Sequence, residues 1–233
     1  INNIDANMLQ HISDEWNIVE EILLDYLNSK KRIGDSKLKD INKLQILQKA
    51  INAGFNVPAS YVLSSKDQLT GLFSKHKKLI TKPLSNLFGY LKEDNFLIHY
   101  TSILSQDDCN CFPDNFFPIL VQEQIDLFFE VRITVINGLL YPTAIVPHQE
   151  YISDIRMLSK HEKRYIPLKL PSKIIRSIDR LLNEINCTYG CIDMIVTPNN
   201  KYYFLEINPQ GQFGAFSHYS GYNIEQIISK HLH

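Results

Sequence analysis

No run of apolar residues in this sequence approaches the roughly 20 residues that a membrane-spanning helix requires. Residues 1–16 are polar and lack the apolar segment of a secretory signal peptide. A strong charge of one sign is missing too, since the formal net charge of the 233 residues is -1. We therefore expect neither a membrane nor a nucleic acid as partner, because these partners favour an apolar span or a basic surface.

Cysteine is scarce as well, with residues at positions 109, 111, 187 and 191. Small secreted scaffolds held by disulfides have a higher cysteine density, so we predict reduced thiols and a cytoplasmic location. The closely spaced Cys109 and Cys111 leave a metal site as the alternative. However, no histidine or cysteine partners recur at zinc-finger spacing.

The composition is ordinary for a globular protein, with 44% hydrophobic and 21% charged residues. A chain of this length can bury a substantial core in one or two domains. Its first residue is Ile1 rather than methionine, so we expect a fragment that lacks upstream residues.

Apolar periodicity and turn signals predict an α+β fold with two lobes joined near residues 121–126. Asn137 and Gly138 predict a type I′ hairpin turn. Residues 85–95, 105–115 and 147–170 are expected to be loops. Helices are expected over 14–28, 42–53, 66–75 and 171–186 and from about residue 222, and strands over 60–63, 77–84, 96–102, 118–125, 129–136, 139–146, 189–196 and 201–208.

The strongest chemical signal is the pair of segments DMIV and LEIN in the last predicted hairpin. Glu206 and Asn208 are two apart on one strand and therefore share a face, which Asp193 can approach from the paired strand. Two carboxylates and an amide oxygen are ligands that suit Mg²⁺. The alternative is that they are polar residues on an ordinary alternating strand.

Further candidate binding residues are four cationic side chains and a strand that would connect the two lobes. Lys82 at a strand end and Lys43 near a helix start could bind phosphates, or be exposed lysines. Residues 120–125 could offer backbone groups to an adenine edge. Arg132 and Arg156 carry forked cations that suit phosphate or carboxylate, although Arg132 could instead form a structural ion pair with Glu130.

Taken together, these segments resemble the ATP-grasp superfamily over roughly residues 40–233. The matching segments are NKLQILQKAINAGFNVP, ITKPL, LVQEQIDLFFEVRITVING, DIR and YGCIDMIVTPNNKYYFLEINPQGQF. Within the superfamily, the chain is similar to the graspetide or microviridin-type ligases that macrocyclise ribosomal peptides. NPQGQF, the preceding FLEI and the opening HISDEW are similar to the grasp-with-spasm peptide maturases.

The resemblance implies a role for each matching residue. Lys43 and Lys82 would contact the phosphates of ATP, and Arg132 and Arg156 would bind the γ-phosphate and the carboxylate being activated. Gln122, Glu123 and Ile125 would line the adenine, and Asp126 would lie near the ribose. Asp193, Glu206 and Asn208 would bind Mg²⁺. We assign catalytic roles to Arg132, Arg156 and Lys82.

The same resemblance implies three regions and an activity. Residues 1–41 would be the tail of a largely absent pre-ATP-grasp domain, 42–120 the central lobe and 121–233 the C-terminal lobe with the Mg²⁺ site. The activity would be ATP-dependent formation of ester or amide rings in a precursor peptide with leader and core. A ligase that adds a free amino acid, a non-catalytic binding module and a homodimer are left open.

Overall fold

Two antiparallel sheets form the framework of the chain in a computed structural model, which describes residues 5–35, 38, 41–84, 89–92, 95–98, 101–148 and 159–232. The strands are β1 Ser60–Ser65, β2 Leu79–Lys82, β3 Gly89–Lys92, β4 Asn95–Ile98, β5 Ser102–Leu104, β6 Asn115–Glu123, β7 Phe129–Ile136, β8 Leu139–Pro147, β9 Lys163–Pro167, β10 Tyr189–Val196 and β11 Tyr202–Asn208. The helices are α1 Ala6–Asn28, α2 Lys43–Ala53, α3 Lys66–Phe73, α4 Asp108–Cys111, α5 Ser172–Ile185, α6 Gly214–Ser220 and α7 Ile224–Leu232.

The first sheet has the strand order β1-β6-β2-β5 and the second has the order β11-β10-β7-β8-β9, while β3 and β4 form a separate hairpin. The chain passes from the first sheet to the second between the end of β6 at Glu123 and the start of β7 at Phe129. This connection overlaps the predicted link near residues 121–126 over residues 124–126. The boundary between lobes predicted at residues 120 and 121 falls within β6 and stays a prediction.

The larger core lies between the five-stranded sheet and the helices α2 and α5. Helix α5 begins after Pro171 and buries Ile178 and Leu181 along one face, as its 3.6-residue periodicity predicts. Helix α2 adds Ile46 and Ala50 to the same core. It begins at Asn42, whose side chain accepts hydrogen bonds from the backbone N–H groups of Leu44 and Gln45, and it ends at Gly54. These ends hold the first residue of α2, Lys43, in a defined position.

A smaller core lies between the four-stranded sheet and α3. It contains Leu69 and Leu72 from the helix and Leu79 and Val121 from the sheet. Ser65 caps α3, because its hydroxyl accepts a hydrogen bond from the backbone N–H of Gln68. Each sheet therefore has its own buried face, and the strands that carry the candidate site are anchored independently.

Several elements differ from the prediction. Helix α1 begins at Ala6 instead of residue 14, and none of its residues is buried. Part of the predicted loop 85–95 is strand β3, and the predicted strand 96–102 is divided between β4 and β5. Strand β9 lies in the segment predicted as irregular, and α6 precedes the expected last helix. Strand β9 forms by pairing with β8, so its own five residues carry little periodic signal.

The four cysteines are free: Cys109, Cys187 and Cys191 are buried and Cys111 is exposed. Over the described part of the chain, no helix is both long and apolar enough to cross a membrane.

Candidate active site

The predicted site residues meet in a cleft of about 570 Å³ that is lined by both sheets and by α2. The four-stranded sheet contributes Lys82 and the end of β6, and the five-stranded sheet contributes residues from β7 to β11. Of the predicted site residues, the cleft is lined by Lys43, Lys82, Gln122, Glu123, Ile125, Arg132, Asp193, Glu206 and Asn208. Residues from four distant segments of sequence therefore share one solvent-filled space.

The carboxylates of Asp193 and Glu206 belong to directly opposed residues of β10 and β11. The register shifts just beyond this pair, since Met194 opposes Phe204 and leaves Leu205 as the extra residue of a β-bulge. The bulge lets Phe204 and Ile207 both face the core although they are three residues apart. Glu206 thereby faces the cleft beside Asp193, which regular alternation from Phe204 would not allow.

Asn208 completes the oxygen-bearing group at the end of β11. It opposes Cys191 on β10, and its side-chain oxygen accepts a hydrogen bond from the backbone N–H of Gln210. This contact orients the amide at the start of the loop Pro209–Phe213. Two carboxylates and an amide oxygen at one corner of the cleft fit the donor set that Mg²⁺ prefers. Over the described residues, no group of three or more His, Cys, Asp or Glu side chains could hold a metal ion. The predicted Mg²⁺ ligands therefore stay a prediction.

Arg132 lies opposite Asp193 on the neighbouring strand β7 and forms an ion pair with it. Its Nη1 is 3.1 Å from Oδ2 and 3.3 Å from Oδ1 of Asp193, and its Nη2 donates to the carbonyl of Gln212 at 3.4 Å. The guanidinium also lies over the ring of Phe216, with Cζ 4.9 Å from the ring centroid. Arg132 therefore links the carboxylate corner to the loop after β11.

The environment of Arg132 keeps its guanidinium positively charged. Burial by itself would lower the pKa of Arg132, but the negative charge of Asp193 and smaller contributions from Cys191 and Glu206 raise it above its ordinary value. The side chains of Arg132 and Asp193 are only 19% and 22% exposed, so the pair is largely removed from solvent. The Nε of Arg132 is buried and has no hydrogen-bond partner among the described residues. Arg132 therefore neutralises Asp193, and a metal ion at this carboxylate would compete with the guanidinium.

The two predicted phosphate lysines enter the cleft from other elements. Lys43 is the first residue of α2, and Lys82 is the last residue of β2, where Pro83 prevents the strand from continuing. Both line the cleft together with Arg132 and Lys163. A polyanion in this space would therefore meet cations from three sides.

Gln122, Glu123 and Ile125 form the wall where β6 ends. The side chain of Gln122 is buried and donates to the hydroxyl of Ser60 at 2.7 Å, while the backbone N–H of Glu123 donates to the carbonyl of Ala59. Ile125 lines the cleft. Asp126 lies apart from this lining, on the surface, where its carboxylate pairs with Lys78 at 2.9 Å.

Other candidates fall outside the cleft or outside the described residues. Arg156 is in the segment that the structure does not describe, so its predicted role stays a prediction. His148, His161 and His218 carry imidazoles that could act as a base for the nucleophile, but all three are exposed, and none is among the residues that line the cleft in the described part of the chain.

The residues that line the cleft but were not predicted from the sequence include Lys163, Tyr165 and Phe216. Lys163 and Tyr165 are two apart in β9, and Phe216 lies in α6. The alternation of KRYIP was the available signal, but it covers only five residues inside a charged segment.

Comparison with solved structures gives matches over nearly the whole chain. A Chryseobacterium gregarium RiPP-associated ATP-grasp ligase, solved with ADP and a leader and core peptide, has a TM-score of 0.79 and 26% identity, covering 98% of this chain and 69% of that chain. The macrocyclase MdnC from Microcystis aeruginosa, bound with the precursor peptide MdnA, has a TM-score of 0.78 and 23% identity, covering 99% and 73%. The ATP-grasp ligase PsnB, complexed with a precursor variant, Mg and ADP, has a TM-score of 0.73 and 17% identity, covering 97% and 70%.

No protein-family model matches the chain, and no curated protein matches it. The structural matches nevertheless confirm the predicted α+β ATP-grasp fold and the predicted resemblance to ATP-grasp ligases of peptide maturation.

Proposed function

We propose that this chain, which has the ATP-grasp fold, is an ATP-dependent ligase that forms ester or amide macrocycles in a ribosomal precursor peptide. The observation that carries the proposal is the meeting of two opposed carboxylates, Asp193 and Glu206, with the cations Lys43, Lys82 and Arg132 in one cleft of that fold. Such a site has the electrostatic features needed to bind and stabilise a transferring phosphoryl group.

The polarity of the cleft supports an orientation for ATP. The wall formed by Gln122, Glu123 and Ile125 has few charges and suits the adenine. Lys43 and Lys82 would neutralise the phosphates. Asp193, Glu206 and Asn208 would bind Mg²⁺, which would supply positive charge to offset that of the phosphates.

The proposed reaction has two steps. A carboxylate oxygen of an Asp or Glu side chain of the peptide forms a bond to the γ-phosphorus, and the bond from that phosphorus to the oxygen bridging it to the β-phosphorus breaks, which releases ADP. A hydroxyl or amino group of the peptide then attacks the acyl carbon, loses its proton and displaces phosphate. Arg132 is placed to offset negative charge during the first step.

The substrate class is supported by the structural neighbours. The Chryseobacterium ligase was solved with a leader and core peptide, and MdnC was solved with a precursor peptide. We infer that this chain also acts on a precursor peptide and that it does so in the cytoplasm. A homodimer stays a prediction.

The first experiment tests the reaction class. The protein is co-expressed with candidate precursor peptides, and each peptide is examined by mass spectrometry. A macrocyclase produces a peptide that has lost one water for each bond formed, and purified protein releases ADP with Mg²⁺ and that peptide. A gain of one amino-acid mass would contradict ring formation, and ATP binding without ADP release would contradict turnover.

The second experiment tests the carboxylate corner. Glu206→Gln should reduce ADP formation by roughly 10²- to 10³-fold, the range typical for loss of one electrostatic stabiliser. Thermal melting and circular dichroism should remain those of a folded protein, because the substitution preserves the size of the side chain. The matched control is Glu21→Gln on the exposed surface of α1, which should leave ADP formation unchanged. Full activity of Glu206→Gln would refute the assignment.

A further inference from the structure

On its cleft face, the five-stranded sheet carries acidic side chains at one end and a cationic and an aromatic side chain at the other. Strands β10 and β11 carry Asp193 and Glu206 at one end, whereas β9 carries Lys163 and Tyr165 at the other. Three strand spacings of about 4.8 Å separate β10 from β9, or about 14 Å between their backbones. A phosphoryl group and the carboxylate that attacks it can therefore lie between these two ends.

The alternation of β9 assigns its side chains to two faces. Lys163 and Tyr165 line the cleft, whereas Arg164 and Ile166 are exposed on the opposite face. Two neighbouring cations of one strand thus have different surroundings. Lys163 adds a cation to the cleft on the side away from Asp193 and Glu206, while Arg164 has no access to it.

Aromatic contacts fix Tyr165 in its place. Its ring stacks on Tyr219, with centroids 4.9 Å apart and an interplanar angle of 16°, and meets Phe216 edge to face at 5.8 Å. Phe216 lines the cleft, and Tyr219 is 45% exposed, so the aromatic surface continues from the cleft to the outside. We call Lys163, Tyr165, Phe216 and Tyr219 the β9–α6 wall.

Helix α6, which supplies half of this wall, is anchored to β8. The hydroxyls of Ser220 and Thr143 form a buried hydrogen bond of 2.9 Å, and the hydroxyl of Tyr222 donates to the carbonyl of Pro142 at 2.6 Å. The wall is therefore organised before any ligand binds, which reduces the entropy cost of binding.

We propose that the β9–α6 wall binds the acidic segment of the peptide substrate, with Lys163 pairing with a side-chain carboxylate and Tyr165 packing against the adjoining peptide chain. The inference rests on the proposed function, since it assigns the substrate side of the same cleft. Charge complementarity supports it, because Lys163 places a cation at the end of the cleft formed by β9, beside rigid aromatic faces.

The test measures binding and needs no turnover. The probe is the tetrapeptide acetyl-Thr-Asp-Glu-Ser-amide, titrated by NMR into the protein with ADP and Mg²⁺, and its partner is the uncharged analogue acetyl-Thr-Asn-Gln-Ser-amide. Wild type should bind the acidic peptide in preference to the analogue. Lys163→Glu should weaken binding of the acidic peptide by at least about tenfold, and Lys163→Arg should restore it to within about threefold.

Arg164→Glu is the matched control, because it makes the same charge change one residue away on the opposite face of β9. It should leave the affinity for the acidic peptide unchanged. The wall is refuted if Lys163→Glu binds like wild type, if Arg164→Glu loses as much affinity, or if wild type binds both peptides equally.

The outcome separates the two proposals. If binding is selective and depends on Lys163, but the protein releases no ADP with its precursor peptide, the proposed role of the β9–α6 wall stands and the proposed ligase activity is refuted. If Lys163→Glu forms rings in the co-expressed peptide as efficiently as wild type, the proposed ligase activity stands and the proposed role of the β9–α6 wall is refuted.

Discussion

At the residue scale, Gly211 shows how closely the loop after β11 lies against β10. A methyl group in place of its α-hydrogen would be 2.5 Å from Cβ and 2.6 Å from Sγ of Cys191. Cys191 is buried in the middle of β10 and cannot move away easily. The carbonyl of Gly211 also accepts a hydrogen bond of 2.6 Å from the hydroxyl of Tyr189. The loop that begins at Asn208 thus depends on a glycine at this position.

We predict that Gly211→Ala lowers the free energy of unfolding by about 1–3 kcal/mol, the usual cost of overpacking. Urea denaturation measures the change. Gly214→Ala is the control, because no described side chain or backbone atom lies within 4 Å of the added methyl group. Its effect should stay within about 0.5 kcal/mol, and equal losses in the two variants would contradict the steric explanation.

Arg132 provides the second residue-scale prediction. Arg132→Met leaves the carboxylate of Asp193 largely buried beside Glu206 without its cation. Unfolding should become easier by about 1–3 kcal/mol, less than for a fully buried pair because both side chains retain some exposure. Mg²⁺ should raise the melting temperature of this variant more than that of wild type, since the metal no longer competes with a guanidinium at Asp193.

Thermal melts with and without magnesium chloride measure both effects. Arg176→Met, which changes an exposed arginine of α5, should behave like wild type in both conditions. A magnesium shift in Arg132→Met no larger than the wild-type shift would argue against competition between the two cations at Asp193.

At the scale of elements, the start of α2 sets the position of Lys43 in the cleft. Asn42 satisfies two of the first N–H groups of the helix with its side-chain oxygen. We predict that Asn42→Ala lowers the free energy of unfolding by about 1 kcal/mol, and that Asn42→Asp restores most of it. Denaturant titration checks the change, with Asn52→Ala in the last turn of α2 as the control. A loss that Asn42→Asp leaves unrestored would mean that capping is not the cause.

The elements also show which parts of the fold local sequence can predict. Helix α5 carries its apolar residues at helical spacing, and Asn137-Gly138 adopts positive φ angles of 47° and 81°, as the predicted hairpin turn requires. Strand β9 was not predicted, because its five residues become a strand by pairing with β8. The bulge at Leu205 was not predicted either, since it results from the packing of Phe204 and Ile207 into one core.

At the scale of the whole molecule, buried acids make stability depend on pH. Burial raises the pKa of Cys187 to about 11 and that of Tyr189 to about 12, from 9.0 and 10.0. The unfolded chain therefore releases these protons at lower pH than the native protein does. Stability should be retained up to about pH 9 and should fall as the pH rises towards 11 and beyond.

Urea denaturation at pH 8, 9, 10 and 11 measures this dependence. Cys187→Ala removes one of the two groups, so its stability should fall less steeply between pH 9 and 11 than that of wild type. Identical slopes for the two proteins would show that Cys187 does not contribute to the alkaline loss.

The sequence by itself determined the α+β class, the helices α2 and α5, the closing hairpin and nine of the residues that line the cleft. These features follow from local periodicity, capping residues and turn chemistry, together with short motifs. Tertiary structure alone decided that Arg132 pairs with Asp193, that Asp126 pairs with Lys78 outside the cleft lining, and that Lys163, Tyr165 and Phe216 line the cleft. Those outcomes depend on strand register, a bulge and contacts between distant segments, which no local window of sequence contains.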